Sequence, residues 1–532
     1  MASIGFRTAD QIAMSLGMEP NHPARLTAGV HFALLQTANA GHCCVPEEVL
    51  VEEAAKLLRV DKLNVAMRVA EMIKSNALYV EDFHGLNLVY PPHLYYAERR
   101  VAERLKRLRD WARPVLRTDY ENIVAEWEAT AGIALAAAQR QAITSALAHG
   151  VLVITGGPGT GKTTTVKGIL AVLEAQGFKI LLGAPTGRAA KRLGEACGRD
   201  AQTIHRLLEA TGGEGPARFA RNQDRPLDAD VVIIDEVSMV DITLMNYLLQ
   251  AVPEGCRVIL VGDVDQLPAV GPGAVLKDII RSGTIPVVRL TEVFRQADTS
   301  IIVVNAHRIN RGLVPDCLSS PDFQFYETES DAATAEEIIS LCQERLPAEG
   351  FDVWQEVQVL SPMHRLLCGV ENLNKELQAA LNPPAPGKPE ISGANQLFRL
   401  GDKVMQIRNN YQKGVFNGDV GLIAAMDDAE VLVSYPDGDV VYDRSELDEI
   451  RLAYAMSVHK SQGCEYPVII LPLVPGHYIM LQRNLLYTAI TRAKQRVILL
   501  GSKAALNTAL ANDRTRRRYS LLAERLRGEG IC

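Results

Sequence analysis

The sequence predicts an α/β protein: two parallel-sheet domains, a helical N-terminal domain, and a small β-barrel inserted in the second α/β domain. Three observations predict it. Residues 151–155, 180–184, 231–234 and 258–261 are near-continuous apolar runs that each stop at polar or glycine residues. Such runs read as strands buried on both faces, as in a parallel sheet covered by helices. A second set of this kind occupies 358–360, 468–471 and 496–500. Between its members lies the linker Asn382-Pro-Pro-Ala-Pro-Gly-Lys-Pro389, followed by alternating segments from 396 to 447 and an Asp437-Gly438 hairpin turn.

In chain order, residues 1–97 carry apolar positions at helical spacing, as in 47–58. They open on a glycine turn entering a helix at Gly5-Phe6-Arg7-Thr8-Ala9-Asp10. Residues 98–121 are strongly basic, with Arg99, Arg100, Arg104, Lys106, Arg107, Arg109, Arg113 and Arg117, and read as a solvated connecting helix. Strands alternate with helices over 122–297, the first α/β domain. A Gly-rich excursion at 209–228, holding Arg218, Arg221 and Arg225, interrupts it. The second α/β domain takes 298–395 and 451–532, with the barrel at 396–450 between them. A chain of 532 residues accommodates this many domains.

Hydrophobic residues at 47% and charged residues at 22% describe a globular chain. No apolar run approaches the roughly 20 residues that a membrane-spanning helix needs. The opening residues lack the basic-then-apolar layout of a signal peptide. Nine cysteines include no C-x-x-C pair, which argues against a disulfide framework or zinc site and makes the cytoplasm the expected compartment. A net charge of −7 excludes a globally basic nucleic-acid binder but permits a local basic groove.

Ligands in open α/β sheets bind at the carboxyl ends of the strands, where the candidate residues fall. Gly156-Gly157-Pro158-Gly159-Thr160-Gly161-Lys162-Thr163-Thr164 joins an apolar strand to a helical pattern, the G-x-x-x-x-G-K-[ST] phosphate cradle in its required context. Its backbone amides wrap the phosphates of ATP, Lys162 reaches the β and γ oxygens, and Thr163 offers a hydroxyl to Mg²⁺. Asp235-Glu236 follows the strand at 231–234. Asp235 can hold Mg²⁺ through water, and Glu236 can orient and deprotonate the attacking water. Alone such a pair can be a mere helix cap; downstream of a phosphate cradle it signals an ATPase. Gln266 is placed to sense the γ-phosphate, with a plain Gly-Asp turn as the alternative. Phosphoryl transfer needs further cations. Arg295, in Leu290-Thr-Glu-Val-Phe-Arg-Gln296, and Arg492, in Leu485-Leu-Tyr-Thr-Ala-Ile-Thr-Arg-Ala-Lys494, are the candidates.

Taken in order, these segments resemble a superfamily 1 DNA helicase of the RecD-like group. The resemblance extends to Gln139 in Leu135-Ala-Ala-Ala-Gln-Arg-Gln-Ala142, where the matching glutamine reads the adenine edge. It also takes in Ala184-Pro-Thr-Gly-Arg-Ala-Ala190, Thr203-Ile-His-Arg206 and Val458-His459-Lys460-Ser461-Gln462-Gly463. It implies two RecA-like domains with ATP and Mg²⁺ in the cleft between them, Arg492 reaching across from the second, and single-stranded DNA over the top of both. Thr186, Arg188, His205 and Arg206 would touch DNA from the first domain, and His364, His459 and Ser461 from the second. Such phosphate contacts position a strand without reading its sequence. The excursion at 209–228 resembles the pin that splits a duplex, a long surface loop being the other reading. The N-terminal region resembles the helix-hairpin-helix elements of the group's stand-alone members. The chain begins almost inside one such hairpin, so an N-terminally truncated chain is expected.

The resemblance thus implies an ATP- and Mg²⁺-dependent monomeric motor that moves 5′ to 3′ on single-stranded DNA. Its further substrate would be duplex with a 5′ single-stranded tail, its setting DNA repair or recombination, and no membrane would be involved. Two other readings stay open: the motor subunit of a recombination nuclease complex, and a P-loop remodelling ATPase acting on proteins.

Overall fold

The computed structural model describes residues 5–112, 120–211, 218–292, 300–393, 396–410, 412–513 and 518–529. The N-terminal domain runs α1 (Phe6–Ser15), α2 (Pro23–Asn39), β1 (Val45–Pro46), α3 (Glu47–Leu58), α4 (Lys62–Lys74), β2 (Tyr79–Phe83) and β3 (Leu86–Tyr90). Gly5 sits at the N-cap of α1. Asp10 takes two hydrogen bonds from Arg25, at 2.7 and 2.8 Å, and Arg25 also donates to the Leu58 carbonyl at 2.9 Å. That fork fastens the first helical hairpin to α3. To the expected helical domain the structure adds a three-stranded antiparallel sheet, order β1-β3-β2. Its strands are too short to compete with the helical periodicity around them.

The basic stretch becomes α5 (Pro92–Asp110), with Arg113 and Arg117 outside the described residues. It is not a solvated connector. Leu94, Val101, Leu105 and Leu108 recur at helical spacing and are buried in a core shared with the first α/β domain. Arg104 donates to the carbonyls of Leu249 and Val252 in that domain. The arginines on the outer face keep their charges in water while the apolar stripe packs.

The first α/β domain contains α6 (Tyr120–Ala131), α7 (Ala137–Ala148), β4 (Val151–Gly156), α8 (Lys162–Ala175), β5 (Ile180–Ala184), α9 (Gly187–Cys197), β6 (Ala201–Thr203) and α10 (Ile204–Leu207). It continues with β7 (Ala210–Thr211), β8 (Arg218–Phe219), β9 (Val231–Ile234), α11 (Ile242–Ala251), β10 (Arg257–Gly262), α12 (Val275–Ser282) and β11 (Val287–Leu290). Six strands form one parallel sheet, order β11-β4-β10-β9-β5-β6. Alternate residues of β4 enter opposite cores: Val151 and Val153 on one face, Leu152 and Ile154 on the other. The excursion at 209–228 starts as an antiparallel hairpin of β7 and β8, with 212–217 and the Arg218 side chain outside the described residues. Arg221 and Arg225 both pair with Glu209.

The second α/β domain begins with β12 (Phe323–Glu327) and β13 (Val357–Ser361). After the helix Val370–Leu381 come β14 (Glu390–Ser392), β15 (Leu397–Arg399), β16 (Lys403–Gln406), β17 (Val420–Met426), β18 (Glu430–Tyr435), β19 (Gly438–Asp443) and β20 (Ile450–Leu452). The segment expected as a barrel is an antiparallel sheet paired in the series β19-β18-β17-β16-β20. Its predicted hairpin turns at Pro436-Asp437, one residue early, because Gly438 already pairs with Tyr435. The chain then returns through β21 (Ala455–Ser457), β22 (Tyr466–Leu473) and β23 (Ala493–Gly501) to complete a five-stranded parallel sheet, order β12-β23-β22-β13-β21.

The last described segment departs from the expected boundary at 532. Residues 518–529 leave the second domain, and the helix Leu522–Arg527 packs on α5 and α12. Arg518 donates to the carbonyls of Ala269, Gly271 and Gly273 at 2.6, 2.9 and 2.7 Å. Under this strap lies Asp278 of α12, whose carboxyl is pushed up to about 7 by burial and by Glu98 and Glu524 nearby, against the pull of Arg281. The folded state therefore holds a proton that the unfolded chain releases from about pH 4, so stability falls as pH rises toward 7 and stays low above it. Asp278→Asn is expected to raise the unfolding free energy at pH 8 by about 2 kcal/mol and to change it little at pH 4. Urea titrations at the two pH values check this.

Among the described residues no helix is long and apolar enough to cross a membrane, and the eight described cysteines are free.

Candidate nucleotide site and nucleic-acid track

The phosphate cradle leaves the end of β4, a strand flanked by β11 and β10. Gly159 and Gly161 adopt φ of 72° and 74°, a left-handed backbone that costs other residues about 1–2 kcal/mol. Gly156 is pinned differently: a Cβ there would lie 2.8 Å from the Leu290 carbonyl. Thr160 donates to the Gly157 carbonyl at 2.9 Å, and Lys162 donates to the carbonyls of Gly156 and Gly157 at 2.8 and 3.0 Å. Pro158 is half-buried on the loop between them. Thr163 stands exposed in the first turn of α8, with Thr164 half-buried beside it. Gln139 is buried at the edge of this loop. Its carboxamide accepts from the Ala136 amide at 3.0 Å and donates to the Gly161 carbonyl at 3.3 Å, so it braces the cradle against α7.

Asp235 and Glu236 follow β9 at the same sheet end. Glu236 is only 5% exposed and has φ of 53°, a left-handed conformation that a non-glycine residue adopts under constraint. Its Oε1 accepts from Arg192 of α9 at 2.6 Å, and another nitrogen of Arg192 donates to Glu465 of the second domain at 2.8 Å. Burial raises the Glu236 carboxyl, but Arg192, Arg492 and Lys162 outweigh it and hold the group below its ordinary range. Asp235 goes the other way, raised by burial and by the charge of Glu236. The pair shares one buried site, and the cations favour ionised Glu236.

Gln266 is buried just past β10. It donates to Asp263 at 3.3 Å, while its Oε1 has no hydrogen-bond partner among the described residues. Asp263 also accepts from the Tyr487 hydroxyl of the second domain at 2.8 Å. A Cβ at Gly157 would sit 2.9 Å from that hydroxyl and 3.3 Å from the His307 ring. His307 Nε2 is buried and unpartnered among the described residues. Arg492 is 3% exposed and donates to the carbonyls of Thr488 and Cys464 and to Thr491 Oγ1, all within its own domain. Its charge reaches Glu236 across the cleft. Arg295 lies outside the described residues.

The structure brings Lys162, Asp235, Glu236, Gln266 and Arg492 together. Sequence reasoning missed Arg192, Glu465 and His307, which come from elements far apart in the chain, and quoted Tyr487 only within the Arg492 motif. Gln462 was quoted only within a motif; its amide donates to the Leu267 carbonyl at 2.9 Å and ties the second domain to the strand end carrying Gln266. A cradle that excludes any Cβ at Gly157, a lysine at its end, and unpartnered polar atoms on Gln266 and His307 fit a triphosphate. Thr163 and Asp235 supply the hard oxygen donors that Mg²⁺ takes alongside phosphate and water.

The nucleic-acid candidates divide. Thr186 caps α9, accepting from the Ala189 amide at 3.3 Å, and stands against Gly463, where a Cβ would lie 2.9 Å from its hydroxyl. Arg206 and His364 are exposed. His459 is largely buried, its pKa lowered by burial and by the charges of Arg518 and His364. His205 lies beside Phe219 of the hairpin, ring centroids 5.8 Å apart, and burial lowers its pKa as well. Two expectations fail in this geometry. Ser461 is fully buried, and its hydroxyl donates to the Val458 carbonyl at 2.8 Å, so it faces its own domain. Arg188 donates to Tyr466 and Cys464 at 3.2 and 3.4 Å and pairs with Asp419 at 3.7 Å, bridging the two domains. A cavity of about 750 Å³ opens between the base of the hairpin and the inserted sheet, lined by Arg206, Arg221, Lys179 and Phe416.

Comparison with known proteins gives concordant matches along the chain. Residues 1–44 match the ATP-dependent RecD2 DNA helicase HHH domain, 134–330 an AAA domain, 373–435 the ATP-dependent RecD-like DNA helicase SH3 domain, and 452–500 the UvrD-like helicase C-terminal domain. The chain is 36% identical over 546 aligned residues to the ATP-dependent RecD2 DNA helicase of Deinococcus radiodurans, covering 98% of this chain and 72% of that protein. It is 34% identical to the RecBCD enzyme subunit RecD of Mycobacterium tuberculosis over 71% of each. Among solved structures, the Pif1 helicase from Candida albicans aligns with 72% of this chain and 98% of its own, at 21% identity and a TM-score of 0.44. With the cradle, the acidic pair and two parallel-sheet domains closing on them, and with identity of this extent to RecD2, the chain belongs to the RecD2 family of ATP-dependent DNA helicases.

Proposed function

We propose that this helicase moves 5′ to 3′ along single-stranded DNA and opens duplex that carries a 5′ single-stranded tail, in DNA repair or recombination. The observation that supports an ATP-driven motor best is the convergence on Glu236 of charges from both domains, Lys162 and Arg192 from the first and Arg492 from the second; the polarity follows the resemblance to the RecD-like group. Turnover at such a cleft depends on the domains meeting, which is how hydrolysis drives movement. Lys162 and the cradle amides hold the β and γ phosphates, Glu236 takes the proton of the attacking water, and Arg492 balances the charge that develops. Thr163 and Asp235 would hold Mg²⁺, which would supply further charge neutralisation. Gln139 would meet the adenine edge with its remaining N–H, and Arg295 would complete the cation set. Gln266 and Tyr487 tie the state of the cleft to the second domain, and Thr186, His205 and Arg206 of the first domain form the DNA track with His364 and His459 of the second. One chain supplies both halves of the cleft, so the motor acts as a monomer. The eight described cysteines are free, which suits a reducing compartment, the cytoplasm.

The test is unwinding of 5′-tailed and 3′-tailed duplexes in the presence of ATP and Mg²⁺. Only the 5′-tailed substrate is expected to open, with single-stranded DNA raising ATP turnover and the affinity falling steeply with salt. Equal opening of both substrates would remove the assigned polarity, and the 3′-tailed one alone would reverse it.

A further inference from the structure

The basic run of α5 takes no part in the nucleotide cleft. In the sequence it is diluted by Glu98, Glu103 and Asp110, and the fold removes most of that dilution. Glu98 turns inward and accepts from Arg525, Tyr90 and Ser520. Asp110 accepts two hydrogen bonds from Arg109, and Glu103 pairs with Arg99 at 3.8 Å on one flank of the helix. What remains on the outer face is ordered. Tyr96, Arg100, Arg107 and Trp111 follow at spacings that place them on one stripe of the helix. At 1.5 Å per residue the stripe is about 22 Å long. Arg100 and Arg107 are exposed and pair with no carboxylate among the described residues. Arg100 lies 5.8 Å over the exposed ring of Tyr96. That ring is braced from behind: its hydroxyl is 2.6 Å from that of Tyr79, which stacks on Tyr95. Trp111 is 62% exposed at the end of the helix.

We propose that this stripe of α5 is a second single-stranded DNA site, apart from the track, and that its occupant is the strand displaced from the duplex. Cations set between aromatic rings hold a single strand without reading its sequence, with phosphates on the cations and bases on the rings. The stripe is remote from the cleft: the Leu108 carbonyl of α5 lies against Gly150, at the amino end of β4, whereas the phosphate cradle leaves the carboxyl end. It is close to the β7–β8 hairpin. Helix α11 packs on α5, and its exposed Tyr247 meets Phe219 of the hairpin, ring centroids 4.7 Å apart. One helix thus separates the stripe from the hairpin that resembles a duplex-splitting pin. A strand held there is kept from its complement while the motor advances. The choice of occupant rests on the unwinding proposed above; the site itself does not.

Short oligo-dT is titrated against the nucleotide-free wild-type chain, Arg100→Gln with Arg107→Gln, and Trp111→Ala, reading the strands bound per chain and the tryptophan emission. The substituted side chains stand on the solvent side of α5, so its packed stripe is untouched. The wild-type chain is expected to take up a second strand that quenches Trp111, the exposed member of three tryptophans. Each variant should weaken that second strand by about tenfold or more, with DNA-stimulated ATP turnover unchanged. Two 5′-tailed duplexes then test the occupant, one with a displaced strand of DNA and one with a displaced strand of peptide nucleic acid, which carries no phosphate. The arginine variant should open the first less than the wild type does and the second equally well. No second strand on the wild-type chain, or an equal quench in Trp111→Ala, would overturn the site. A deficit that persists with peptide nucleic acid would overturn the displaced strand as its occupant. A wild-type chain that opens neither duplex would remove the unwinding reading and this occupant with it, while the count of bound strands still decides the site.

Discussion

Arg492→Ala is expected to lower DNA-stimulated ATP turnover by about three orders of magnitude while leaving nucleotide affinity within roughly threefold of the wild type. Arg492 is nearly inaccessible, and its guanidinium is fixed by the carbonyls of Thr488 and Cys464 and by Thr491. That anchoring orients the charge before the cleft engages, which is what makes an electrostatic contribution large in a water-poor site. Its field already reaches Glu236 from the opposite domain. Binding of the nucleotide rests on the cradle and Lys162, which the substitution leaves in place. Arg492→Lys should not rescue, because an ammonium cannot serve three divergent acceptors and a phosphoryl oxygen together. Single-turnover hydrolysis and equilibrium binding of a fluorescent nucleotide, measured on the same samples, separate the two effects. An equal loss of affinity and rate would place Arg492 in nucleotide binding instead.

The parts of this molecule that sequence could read are those with a local cause. The phosphate cradle is legible because left-handed turns at Gly159 and Gly161 and the lysine behind them are consecutive. The buried strands are legible because both their faces must be apolar. What connects the domains has no such signature: Arg192 and Glu465 lie 273 positions apart, and no periodicity foretells the pair. For the same reason Arg188, read as a phosphate contact, turned out to be a bridge to Tyr466. Ser461 shows a different limit. A hydroxyl in a polar motif suggests exposure, but the turn around it closes on Val458 and buries it. In α5 the signal was present and outweighed: six basic residues drew attention from the Val101, Leu105, Leu108 stripe that packs.

The C-terminal strap carries the second large effect, on stability. Arg525 donates to Glu98 at 3.0 Å and to Glu81 at 3.0 Å, and the three side chains are buried together, Glu98 at 0% exposure. Glu98 also accepts from Tyr90, Ser520 and the Leu521 amide. Arg525→Ala is expected to cost about 3–5 kcal/mol, because two carboxylates would then stay buried without a cation. The loss should appear as a lower urea midpoint and as faster amide exchange over 518–529 and α12. The cost belongs to the unpaired charges and not to a favourable ion pair, so a triple variant, Arg525→Met with Glu81→Gln and Glu98→Gln, should recover most of it. If Arg525→Ala loses less than about 1 kcal/mol, water reaches the triad and the strap is an exposed appendage. If the triple variant stays as weak as Arg525→Ala, the directional bonds from Arg525 hold β2 of the N-terminal domain, α5 and the strap in register.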